Sequence, residues 1–94
     1  KVRDEIARQV VDALARVRSR ARQVEGARLA LSAARKTLEL TGQRRECGGG
    51  MVLENIQAGQ DLTRARTEYF GAVAEHNKAQ YELARAGGAS LAAR

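Results

Sequence analysis

The stretch that decides the fold is AGQDLTRARTEYFGAVAEHNKAQYELARA, residues 58–86, which contains two interleaved rows of seam-forming side chains. One row is alanine at every seventh residue, and the other places a larger side chain four residues after each of the first four alanines. Together the rows are Ala58, Leu62, Ala65, Tyr69, Ala72, His76, Ala79, Leu83 and Ala86. This alternate spacing is the heptad pattern of a coiled coil, and alanine at every second position lets a partner helix approach closely. The stretch is therefore predicted to be a helix that packs along another helix.

Residues 1–41 contain a second heptad row of large non-polar side chains, which is Val10, Val17, Val24, Leu31 and Leu38. Three residues after Val10, Val24 and Leu31 comes an alanine, whereas Arg20 stands three residues after Val17. The pattern predicts a first long helix with the same alternation of large and small residues. Gly26 lowers the stability of this helix by about 1 kcal/mol relative to alanine. We interpret it as a position where a neighbouring helix approaches closely or, alternatively, where the helix bends.

The two helical stretches are separated by a turn that contains Gly42 and three consecutive glycines, Gly48 to Gly50. Glycine permits positive φ and weakens a helix, so the first helix is expected to end at Gly42 or near Glu46. The second helix is expected to start between Met51 and Glu54 and to stop at Gly87-Gly88. Such a short connection forces the helices to lie antiparallel. The predicted fold is all-α, an antiparallel two-helix coiled-coil hairpin, with a first helix at 1–41, a tip at 42–50, a second helix at 51–88 and a frayed tail at 89–94.

Composition narrows the possible functions of this 94-residue chain, whose formal net charge is +6. The positive excess lies in residues 1–41, but Arg16, Arg18, Arg20 and Arg22 spread over both flanks of a helix and form no single basic stripe. Solvated or ion-paired arginines are therefore favoured over a nucleic-acid interface. One cysteine cannot form an internal disulfide, and no Cys/His cluster predicts a metal site. We expect no enzyme activity, no catalytic residues and no cofactor.

Two paired helices cannot enclose a core, so each is expected to expose a second non-polar face that further helices cover. Val11, Leu29 and Phe70 are examples of residues on such faces. The chain begins at Lys1 without a start methionine, which is expected of a piece cut from a longer protein. No run of residues is long and non-polar enough to predict a membrane-spanning helix.

The second helical stretch resembles the last long helix of the TolC-like outer membrane efflux proteins. The residues that carry the likeness are Gln57-Ala58, Gln60, Leu62, Ala65-Arg66, Glu68-Tyr69, Ala72-Val73-Ala74-Glu75, Asn77, Ala79-Gln80, Glu82-Leu83, Ala86 and Gly88. His76-Asn77 stands where that family usually has Tyr-Asn, and Gly87-Gly88 where it usually has Leu-Gly. At the turn, Arg44, Gly48 and Gly50-Met51 resemble the family's hairpin tip. Cys47-Gly48-Gly49 departs from its usual Val-Gly-Leu, and Asn55-Ile56 from its usual Val-Leu.

The resemblance covers about residues 37–88 and implies a concrete role. Such proteins are trimers whose chains build an outer-membrane barrel and a hollow periplasmic cylinder of long helices, which conducts passively and is gated by helix movement. This chain would be the helical hairpin of the C-terminal repeat, outside the membrane and facing the periplasm. Its tip would dock an adaptor protein through Arg44, Arg45, Cys47, Gly48, Gly49, Gly50 and Met51. Two alternatives stay open, namely the hairpin of a periplasmic adaptor protein and a small hairpin that self-associates into a four-helix bundle.

Three polar side chains on the second helix have two interpretations each. His76, the only histidine, is either a pH-sensitive contact or, as we favour, a packing residue in place of an aromatic ring. Asn77 and Gln80 either bond across the seam and fix its register or are simply solvated. Cys47 lies in the turn beside Arg44 and Arg45, and we interpret it as a small neutral residue because no histidine is close enough to act as its base.

Overall fold

The computed structural model describes residues 2–48 and 51–92, with side chains as far as residue 88, and contains two helices. Helix α1 spans Val2–Glu46, 45 residues, and helix α2 spans Val52–Ala92, 41 residues. Asp4 and Glu5 lie in the first turn of α1 and Glu54 in that of α2, where carboxylates suit the positive end of the helix dipole. No strand occurs in the described ranges. The prediction of an all-α helical hairpin is confirmed.

Helix α1 ends later than the boundary placed at residue 41. It continues through Gly42 to Glu46, the longer of the two ends considered from the sequence. Gly42 keeps a helical backbone, whereas Gly48 adopts φ 80°, the left-handed conformation that closes many helices. The amide of Cys47 donates to the Gln43 carbonyl and that of Gly48 to the Arg45 carbonyl, both at 3.1 Å. One glycine costs about 1 kcal/mol, too little to stop a helix whose next turns still gain hydrogen bonds.

Helix α2 begins at Val52, within the predicted interval, but the prediction that Gly87-Gly88 end it is wrong. The helix runs on to Ala92, so residues 89–92 are helical, while 93–94 of the predicted tail lie outside the described residues. Neither glycine has positive φ, so neither forms a left-handed cap. The following Ala-Ser-Leu-Ala contains good helix formers, and each added residue gains a backbone hydrogen bond.

Residues Glu25–Gly71 form one compact unit, here called the tip unit, which contains the turn and the adjoining parts of both helices. Its core consists of Leu31 on α1 with Leu62 and Ala65 on α2. Ala34, Leu38 and Tyr69 pack half-buried against this core. Late residues of α1 lie opposite early residues of α2, as the bond between Thr41 and Asn55 shows, so the helices run antiparallel.

The second compact unit, here called the terminal unit, pairs α1 through Val24 with α2 from Ala72 onward. Ala13 on α1 and Ala79 on α2 are its buried residues. The Arg16 guanidinium donates to the Glu82 carboxylate at 2.9 Å, which places the start of α1 beside the later part of α2. The helices are antiparallel in this unit as well.

Within the described residues, neither helix has a segment of the length and hydropathy that a bilayer crossing requires.

Candidate interaction surfaces

The predicted packing seam lies between the helices. Every residue of the two rows is buried or half-buried, and none is exposed. The most buried members are small, with Ala79 3% exposed and Ala58 4% exposed. No described side chain is fully buried, because a two-helix layer shields each residue from one side only. The rows assigned to the seam are, on α1, Val10, Val17, Val24, Leu31 and Leu38, and, on α2, Ala58, Leu62, Ala65, Tyr69, Ala72, His76, Ala79, Leu83 and Ala86.

The polar residues singled out on α2 have different environments. His76 is half-buried in the seam row. Asn77 and Gln80 are exposed, and neither makes a hydrogen bond to another described side chain. The solvated interpretation therefore holds for both in this structure. Arg20, which interrupts the alanine row of α1, is half-buried and donates to Gln23 at 3.0 Å.

A polar pair near the turn, with one member buried and the other half-buried, was missed by the sequence interpretation. Thr41 is 5% exposed, and its hydroxyl donates to the Leu38 carbonyl at 3.0 Å. The Asn55 amide Nδ2 in turn donates to Thr41 Oγ1 at 3.2 Å. Asn55 also lies 3.9 Å from the position that a Cβ on Gly42 would occupy. The heptad spacing could have predicted this pair. Thr41 follows Leu38 by three residues and Asn55 precedes Ala58 by three, so each residue is the next seam position of its helix.

The carboxylates of α2 form a second pattern that was missed. They recur at every seventh residue, in the order Glu54, Asp61, Glu68, Glu75 and Glu82. The row lies one residue before each larger seam position, so it follows one flank of the seam. In the tip unit Glu54 reaches Arg44 of α1 at 3.8 Å. In the terminal unit Glu82 pairs with Arg16. The spacing of seven was the signal that could have found this row.

Short-range ion pairs on α1 affect the titration of two carboxyl groups. A hydrogen bond from Arg8 holds the pKa of Glu5 below its ordinary value, and hydrogen bonds from Arg28 do the same for Glu25. The pKa of each arginine partner is raised in turn by the hydrogen bond to its carboxylate. All four groups face solvent, so these pairs affect local charge more than stability.

The predicted tip residues lie at one end of the tip unit and are exposed where they are described. Arg44, Arg45, Cys47 and Gly48 follow one another there, and Met51 precedes α2. Gly49 and Gly50 lie outside the described residues. Arg44 and Cys47 line a shallow depression together with Leu40 and Gln43. The thiol of Cys47 is free and exposed.

Large non-polar side chains are exposed on both helices, as the sequence indicated for Val11, Leu29 and Phe70. Phe70 is 66% exposed although its ring stacks at an angle against Tyr69, with centroids 5.7 Å apart. Several more are concentrated around the turn, namely Leu40, Met51, Val52, Leu53 and Ile56. A non-polar surface beside exposed arginines is typical of a site that another protein covers.

Metal-binding geometry is not found within the described ranges, where no three or more His, Cys, Asp or Glu side chains are grouped to hold an ion.

The chain was compared with known proteins at three levels. No family model, no curated protein sequence and no solved structure matches it.

Proposed function

We propose that this hairpin is a structural segment of a trimeric outer-membrane export channel of the TolC-like kind. In that role it lies on the periplasmic side as part of a cylinder of helices, and its tip docks an adaptor protein. The proposal rests on the sequence resemblance of residues 37–88 and on one structural observation. The paired helices bury a narrow alanine-rich seam and leave large non-polar side chains such as Phe70 and Ile56 exposed, as a segment covered by further helices requires.

The role requires no chemical step by the protein. A conduit of helices acts by lining a path and by changing its width when helices move, so its residues serve packing and docking. The alanine seam suits that role because small side chains let long helices lie close together. The exposed tip supplies docking groups, with the Arg44 and Arg45 guanidinium groups beside the non-polar side chains of Leu40 and Met51.

The coding sequence around this segment provides the first test. A channel subunit of this kind contains a second, similar hairpin, and amphipathic strands flank each hairpin. A flanking sequence that lacks both features refutes the proposal. Flanking halves of a lipoyl-like domain would identify an adaptor hairpin instead.

A binding experiment tests the role of the tip. Purified chain is passed over immobilised periplasmic adaptor protein from a tripartite efflux system, and the double variant Arg44→Glu/Arg45→Glu is compared with it. We expect the variant to lose binding, because both guanidinium groups are exposed at the end of the tip unit. Lys36→Glu, which reverses another exposed charge on α1, is the matched control and should bind normally. Equal binding by the tip variant and the control contradicts docking through the tip.

A further inference from the structure

The tip unit has two different flanks beside its seam. In an antiparallel pair of heptad helices, the residues that come one position before the larger seam residues of either helix lie on one flank of the seam. The residues that come four positions after the larger seam residues of either helix lie on the other flank. The contact of Arg44 with Glu54 places the first kind of residue from both helices on the same side. Ala30, Thr37, Asp61 and Glu68 belong to that side by the same rule.

One flank, here called the acidic face, has carboxylates on α2 and small side chains on α1. The carboxylates belong to Glu54, Asp61 and Glu68, and the last two are exposed. Opposite them on α1 are Ala30, Ala33 and Thr37, all exposed. The Thr37 hydroxyl donates to the Ala33 carbonyl at 3.0 Å, so its polar group is already satisfied within the helix. Between residues 30 and 37 the α1 half of this face is consequently a shallow non-polar strip, and Leu40 and Arg44 follow it toward the turn.

The opposite flank, here called the arginine face, combines positive charge with large non-polar side chains. Arg28 and Arg35 are exposed on α1, and Arg66 is exposed on α2. Also on α2, Ile56 is 52% exposed and Phe70 is 66% exposed, each one residue after a seam position. Among the described residues of α2, no such large non-polar side chain lies on the acidic face.

Neighbouring charges reduce the contrast between the faces without removing it. Glu25 and Glu39 border the arginine face, where Arg28 bonds to Glu25 at 2.6 and 3.0 Å. On the acidic face Asp61 pairs with Arg64 at 3.3 Å, and Arg44 is close to Glu54. Exposed ion pairs within one helix are weak, so Arg28 and Asp61 can exchange partners on binding. The remaining charges, those of Arg35, Arg66 and Glu68, form no ion pair with any residue in 2–48 or 51–88.

We propose that a second copy of this chain docks here, with the arginine face of one copy against the acidic face of the next. Contact between two identical faces would set arginines against arginines or carboxylates against carboxylates, which is unfavourable. Contact between unlike faces pairs Arg35 and Arg66 with carboxylates and sets Phe70 and Ile56 against a strip of small residues. Such contact is head-to-tail, so each added copy leaves one face of each kind free, and assembly continues or closes into a ring.

The inference does not depend on the export-channel proposal, because it concerns the 94-residue chain alone. Sedimentation equilibrium of that chain at low ionic strength is the first measurement. We expect the average mass to rise with concentration beyond that of a dimer, and to fall when salt screens the charges. A monomer at every concentration, or a dimer that takes up no further copies, overturns the proposal and leaves the channel proposal untouched.

Charge reversal then assigns the faces. We expect Asp61→Lys/Glu68→Lys and Arg35→Glu/Arg66→Glu each to self-associate at least about tenfold more weakly than the unaltered chain, because like charges then oppose each other. An equimolar mixture of the two variants should recover association, since each presents the charge the other lacks. Gln60→Lys/Thr67→Lys, which adds charge on the far side of α2, is the control and should associate normally.

Circular dichroism verifies that each variant is helical, which is expected because all four reversed side chains are exposed. Reversed variants that associate as well as the control, or a mixture that fails to recover association, refute the assignment of these two faces.

Discussion

Replacing Ala79 by leucine should destabilise the hairpin although it adds a non-polar side chain. Ala79 is 3% exposed and lies beside Arg16, Arg20 and Glu82 in the terminal unit. A leucine has about three more carbon atoms, and their burial without strain would stabilise the fold by about 2.4 kcal/mol at 0.8 kcal/mol per methylene. The seam offers no room for them, because an alanine is already almost fully covered there. The helices must move apart, and overpacking of this kind costs about 1–3 kcal/mol.

The free energy of unfolding is measured by urea denaturation followed at 222 nm, at a concentration where the chain is monomeric. Ala74→Leu is the matched control, because Ala74 is exposed on the same helix and the substitution is chemically the same. Its effect should be within about 0.5 kcal/mol of zero. The reasoning fails if Ala79→Leu raises stability or changes it no more than Ala74→Leu does.

Three further predictions use the same assay or a titration. Thr41→Val and Asn55→Leu should each lower the free energy of unfolding by about 1–3 kcal/mol, because each removes one partner of the hydrogen bond between these side chains. The double variant should lose less than the sum of the two single variants, and additive losses contradict a coupled pair. Gly48→Ala should lower the free energy of unfolding by about 1–2 kcal/mol, because a residue with a side chain disfavours the φ of 80° found there. An unchanged free energy of unfolding refutes a left-handed cap at Gly48. The pKa of Glu25 is lowered in the folded state, so its pair with Arg28 stabilises above the ordinary value of 4.5 and is lost as pH falls through the folded pKa. Arg28→Gln should return the carbon-detected NMR titration of Glu25 toward 4.5, and an unchanged titration excludes the arginine as the cause.

Where the helices end was harder to predict from the sequence than where they pack. Because glycine weakens a helix, the sequence predicts stops at Gly42 and Gly87-Gly88, yet α1 continues to Glu46 and α2 to Ala92. The penalty for one glycine is about 1 kcal/mol, similar to what a further packed turn gains. At the turn that gain includes the burial of Thr41 and its hydrogen bond with Asn55. Such a contact between residues 14 apart depends on the path of the turn, which glycine spacing alone does not define.

The sequence by itself determined which side of each helix packs, because side chains three and four residues apart necessarily share a helical face. Residues as different as Ala58, Tyr69 and His76 therefore take their places in one seam whatever their chemistry. Tertiary structure decided which residues meet across that seam, such as Arg16 with Glu82 and Thr41 with Asn55. Periodicity is the same for every shift of one helix along the other by a heptad, so it does not define the register, which specific contacts such as these distinguish. The division into an acidic face and an arginine face follows from the antiparallel pairing of the helices, which places Arg44 and Glu54 on the same flank.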